Sequence, residues 1–161
     1  LDNVRIWRSS HIGGHRFAPT IIDLPEARYY GNLDQKSFRS ILTRTGDIKC
    51  LNTIYRGWGI LPTSIQVLER ELILCHGWDW YNYKVTSRII EQSVDNNTIL
   101  AELTHEKPDG SLYSHYAKLV QNESKTLQLK SSCNATHLSV FAKYDIANLW
   151  LASKKVVTYS I

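Results

Sequence analysis

Val4-Arg5-Ile6-Trp7-Arg8-Ser9-Ser10-His11-Ile12-Gly13-Gly14-His15-Arg16-Phe17-Ala18-Pro19-Thr20-Ile21-Ile22-Asp23-Leu24 is the stretch on which the fold turns. Val4 to Trp7 alternate in residue type and predict a short strand that ends at Ser9-Ser10. The histidines that follow have a spacing that would place both on one face of a helix, but the glycines between them oppose one. Glycine costs about 1 kcal/mol in a helix interior, while it permits positive φ and lets backbone amides approach a ligand closely. His11 to His15 is therefore expected to be a loop that wraps around something. Beyond it, the β-branched run from Phe17 to Leu24 is bounded by Pro25. Ala27 to Gly31 returns at hairpin distance, so two antiparallel strands are predicted.

Moving outward, Asp34 is placed to cap a helix of about three turns, a common length, whose apolar positions are Phe38, Ile41 and Leu42 and whose stop is Gly46. Cys50 to Tyr55 suggests a short helix, and Arg56-Gly57-Trp58-Gly59 a break that serves as a connector. A second helix begins near Pro62, with Ile65, Leu68, Leu72 and Cys75 as its apolar stripe and His76-Gly77 as its end. From Lys84 onward the pattern alternates. The segments Lys84 to Gln92, Thr98 to Glu106, Ser111 to Gln121 and Lys125 to Lys130 read as an antiparallel meander, with Pro108-Asp109-Gly110 the most specific turn. Val140 to Leu151 fits either helix or strand.

The predicted class is α+β, with residues 1–47 as one part and 48–161 as a helical connector plus a β-rich subdomain. A 161-residue chain with 43% hydrophobic content can bury one sizeable core or a core with a subdomain attached. Its formal charge of +4 is scattered without long basic runs, which argues for mild attraction to acidic partners and not for nucleic acid. No apolar run approaches the roughly 20 residues of a membrane span, so membrane insertion is not expected. Cys50, Cys75 and Cys133 form no C-x-C or C-x-x-C pair, which suits free thiols in a reducing, cytoplasmic compartment.

Imidazole ligates iron, zinc and copper, and neighbouring amides can donate hydrogen bonds to an anionic cluster. On spacing alone a metal site and a simple turn, with one ring hydrogen-bonded to backbone, both remain open.

Trp7 to Thr20, followed by Leu24-Pro25 and Tyr30-Gly31, resembles the signature block of the sucrase/ferredoxin-like family, which is related to thioredoxin-fold 2Fe-2S ferredoxins. The resemblance is strongest over residues 4 to 45. It implies that residues 1–47 are the second half of a thioredoxin-like ferredoxin domain, a loop followed by two strands, a Tyr-Gly turn and a helix. It further implies an iron-sulfur, electron-transfer protein whose cluster takes two histidines from an H-x-x-x-H, here His11 and His15, and two cysteines from an upstream C-x-C. Gly13 and Gly14 would shape the loop around the cluster, and Arg16 would offset the negative charge of its reduced form or pair with a carboxylate of a partner. No cysteine precedes His11, so the expectation is a 2Fe-2S cluster in the complete protein, with the cysteine-bearing half upstream, and none held by these residues alone. An electron carrier is favoured over an enzyme, and its redox partner is not named by the sequence. The rivals are a structural or binding module that has no cluster, a zinc hydrolase using His11 and His15, and a carboxylate glycosidase.

The remaining candidates have structural readings. Trp78, Asp79, Trp80, Tyr81 and Tyr83 form an aromatic group that could stack a sugar but is expected to pack in the core. Asp23, Glu26 and Asp34 are expected in a strand, beside Pro25 and at a helix cap, so sucrose hydrolysis by a carboxylate pair is not expected. His76 suits a helix carboxy terminus, and His105 and His115 are expected to face each other across a hairpin. Cys133 is the thiol expected to react if any does.

Overall fold

The computed structural model describes residues 4–10, 12–130 and 134–156, by backbone alone at residue 15 and residues 152–156. The chain is α+β and divides into two compact units, Leu1–Pro62 with Glu69–Tyr81, and Thr63–Leu68 with Asn82–Ile161.

In the first unit, β1 (Ile21–Asp23) and β2 (Arg28–Tyr30) form the expected hairpin, pairing Ile21 with Tyr30 and Asp23 with Arg28. A third strand joins them. β3 (Tyr55–Trp58) pairs antiparallel with β2, giving the order β1-β2-β3. The sequence reads this segment as a connector because of Gly57, but that glycine lies inside the ladder opposite Tyr29 with φ of 121°, next to a register shift at Tyr29/Tyr30. Glycine within a strand marks such irregularities. Val4 to Trp7 is a correction in the other direction: it joins no ladder among the described residues, and Ile6 and Trp7 are exposed. Alternation favours a strand only where a neighbour supplies hydrogen bonds.

α1 (Gln35–Thr43) starts at Asp34, whose carboxylate accepts from the Ser37 amide at 2.7 Å, while the Ser37 hydroxyl oxygen accepts from the Asp34 amide at 3.0 Å. This reciprocal box satisfies amides that have no partner inside the helix. The helix closes at Arg44, in the left-handed region with φ of 52°, two residues before the expected glycine. α2 (Leu51–Ile54) is the short helix before β3. α3 (Gln66–His76) begins beyond Pro62, and its last residues from Glu69 belong to this unit. Leu72 and Ile73 are buried, whereas Cys75, expected in the stripe, is exposed. The core of the unit is Tyr30, Ile41, Leu51, Ile54, Tyr55 and Trp80.

In the second unit, β4 (Lys84–Gln92), β5 (Thr98–Glu106) and β6 (Ser111–Gln121) form the predicted meander. The turn at Asp109 has its carboxylate accepting from the Ser111 amide at 2.9 Å and Gly110 at φ of 81°. β7 (Leu127–Leu129) leaves the meander to pair with β8 (Ser139–Phe141), and β9 (Tyr144–Val156) returns beside β6. The sheet order is β4-β5-β6-β9. Val140 to Leu151 is thus strand except at Ala142 and Lys143. Along β5, Ile99, Ala101, Leu103 and His105 point to the buried face, a strict period of two. Among the described residues no helix is long and apolar enough to cross a membrane.

Candidate functional site

The glycine loop is tied to the hairpin by backbone. Gly13 and Gly14 both have positive φ, 79° and 68°, which L side chains rarely adopt. His15 opens the 3-10 turn His15–Phe17, in which the Phe17 amide donates to the Gly14 carbonyl at 2.8 Å. The Phe17 carbonyl then accepts from the Asn32 amide at 2.6 Å, and the Gly31 amide donates to the Ile54 carbonyl at 2.8 Å. The loop, the end of β2 and the start of β3 are held as one piece.

Gly31 makes that docking possible. A Cβ there would lie 2.8 Å from the Phe17 Cβ, 2.9 Å from the Phe17 carbonyl oxygen and 3.1 Å from the Arg56 Cδ. The Tyr30-Gly31 pair is therefore a close-approach requirement, met by the one residue without a side chain. Above this contact the Arg56 guanidinium carbon lies 3.2 Å from the Phe17 ring centroid, and that of Arg16 lies 4.8 Å from the same centroid. Burial first, and then the positive charge of Arg16, hold Arg56 below its ordinary pKa. Neither guanidinium has a carboxylate within ion-pair distance among the described residues.

Of the residues the sequence singles out, Gly13, Gly14 and Arg16 thus share one loop. His11 lies outside the described residues, as does Cys133. The loop is followed by β1 as expected, but among the described residues no strand precedes it. Arg56 was missed by sequence reasoning, since nothing near it in sequence signals the contact with Phe17.

A second cluster in this unit was also missed. Arg28 and Glu69 are 1% and 0% exposed and form an ion pair of 2.7 Å. Tyr55 donates to Glu69 at 2.9 Å and accepts from Arg28 at 2.7 Å, the Trp80 indole N–H donates to Glu69 at 2.9 Å, and the Arg28 guanidinium lies 3.9 Å from the Trp58 ring centroid. Burial opposes the charge on Arg28, but Tyr55 and Glu69 outweigh it and raise its pKa. Burial, and then Glu69, push the Tyr55 phenol up against the opposing pull of Arg28, and burial pushes Tyr81 up to about 12. The cluster is a fully bonded core element, because an unpaired buried charge would be far more costly.

The carboxylates that tempt a glycosidase reading are occupied. Asp23 pairs with Arg44, Glu26 pairs with Arg28 at 3.2 Å, and Asp34 caps α1. Trp80 packs in the core and Tyr81 is half-buried, with the Tyr81 and Tyr30 hydroxyls 2.7 Å apart. In the second unit His105 lies opposite Tyr113, and His115 opposite Leu103, so the two histidines are diagonal and not directly paired. Their rings stack with centroids 5.1 Å apart, and Tyr83 and Tyr113 stack on His105 at 5.3 and 5.0 Å.

Residues 1–57 match the model of the sucrase/ferredoxin-like family. The matched part takes in the glycine loop, the β1-β2 hairpin, α1, α2 and Arg56; α3 and the whole of the β4-β5-β6-β9 sheet lie beyond it. No curated protein and no solved structure matches the chain.

Proposed function

We propose that the matched segment is the histidine-bearing half of a 2Fe-2S electron-transfer site, with His11 and His15 ligating one iron. The observation that carries this reading is the coincidence of the family match with a glycine loop docked on Gly31. The donor set of the loop fits half of such a centre: two imidazoles, and no C-x-C in the 161 residues. Two thiolates from outside this sequence would complete the four ligands. When bound, the cluster would supply one-electron chemistry at a potential raised by neutral imidazoles replacing thiolates, as in Rieske centres.

The part played by this chain is positioning and electrostatics. Gly13 and Gly14 let the backbone turn between the histidines, and the Phe17–Asn32 and Gly31–Ile54 bonds fix that turn to the sheet. Arg16, next to His15 in sequence, would add positive charge to the loop and offset added negative charge. Residues 1–47 serve as the second half of a thioredoxin-like ferredoxin domain in this reading.

One alternative has an observation in its favour. The Arg28–Glu69 cluster gives the unit a buried core whose charges are paired by its own side chains, which supports a binding module without a cluster. Iron content and visible absorption of the full-length gene product separate the two. The electron-transfer reading expects a cluster lost in His11→Ala and in His15→Ala; full-length protein free of iron after reconstitution would favour the module.

A further inference from the structure

We propose that Arg16 and Arg56, held together on the Phe17 ring, are the docking point for a carboxylate-rich segment of a partner protein. Resting on the electron-transfer reading, this would place an acidic redox partner directly beside the histidine loop.

The two cations are a built arrangement and not a chance neighbourhood. Arg16 comes from the glycine loop and Arg56 from β3, and the docking of one on the other passes through Gly31, where the absent side chain leaves room for the Arg56 stem and Phe17. Both guanidiniums lie over one ring, at 4.8 and 3.2 Å from its centroid, so two like charges are brought close. Like charges repel, and the fold sustains that cost with no carboxylate of its own paired to either among the described residues. An external anion relieves the repulsion. Both side chains are exposed, as are Arg5 and Arg8 in the stretch that leads into the loop. Exposed cations at the edge of a functional loop steer a charged macromolecule more than they trap a small ion, which needs desolvated donors around it.

The test uses the 161-residue chain and poly-L-glutamate as the probe, with binding followed by calorimetry at low and high salt. Binding at low salt that weakens as salt is added is expected. The double variant Arg16→Gln/Arg56→Gln should lose about tenfold in affinity, the loss of two rim ion pairs. The control Lys36→Gln/Arg39→Gln removes the same charge from exposed positions on α1 and should lose less than about twofold. Arg16→Gln alone keeps the test open if the Arg56 change disturbs β3, and Arg56→Lys should retain most of the affinity.

Equal losses in the two double variants would mean that only bulk charge matters and would overturn the proposal. So would an absence of poly-L-glutamate binding at low salt, or saturation by inorganic phosphate alone, which would make the pair a small-anion site. None of these readouts needs iron, so a failure of docking and a failure of the cluster assignment are told apart.

Discussion

At the scale of single residues, the chemistry legible in the sequence was that of groups whose meaning is local. Paired glycines between histidines announced a loop of positive φ, and both glycines are there. Gly31 was legible only as half of a Tyr-Gly signature; its physical reason, the approach of Phe17 and Arg56, required the fold. Gly31→Ala should destabilise the protein by about 1–3 kcal/mol, the usual range for overpacking, as read from urea unfolding. A variant of unchanged stability would mean that the Phe17 contact yields freely. Glu69 was invisible for a related reason: a carboxylate on a helix reads as solvated unless its partners, 41 and 14 residues away in sequence, are known. Glu69→Gln leaves Arg28 charged in a buried site with only the part-exposed Glu26 as counter-ion, and a loss of about 3–5 kcal/mol in the same measurement is expected. A loss below about 1 kcal/mol would show that Tyr55 and Glu26 suffice to hold the guanidinium.

At the scale of elements, periodicity served wherever one face is buried and the neighbour in sequence is also the neighbour in space. β4, β5 and β6 run over the residues expected of them, and α1 begins at the expected cap. The signal failed where pairing is not sequential. β3 pairs with β2 across two intervening helices, and the strand region around Leu127 pairs with β8 while β9 takes the place beside β6. No local pattern encodes such a choice. The cap of α1 carries a pH dependence of definite sign. Hydrogen bonds from the Ser37 side chain, then from its amide, hold the Asp34 carboxyl below its ordinary value of 3.8. Its contribution is therefore fully present above that value and is lost as pH falls through the lower folded value. Urea midpoints measured down an acid series should show this loss in the native protein and a smaller one in Asp34→Asn. An identical acid dependence in the two would remove Asp34 from the account.

At the scale of the whole molecule, the two compact units have different claims on function. The family match ends within β3, so the redox reading belongs to the first unit, and the four-stranded sheet with its stacked histidines and tyrosines contributes nothing to that assignment. The division expected at residue 47 follows the extent of the family resemblance, and the first compact unit runs on to Pro62 and takes in Glu69–Tyr81. The central claim concerns His11 and His15, and pulsed electron paramagnetic resonance on the reduced full-length gene product, labelled with 15N-histidine, addresses it most directly. The account predicts strong couplings from two imidazole nitrogens, with the signal altered or abolished in His11→Ala and in His15→Ala. A paramagnetic cluster whose nitrogen couplings are absent, or unchanged in both variants, would contradict it.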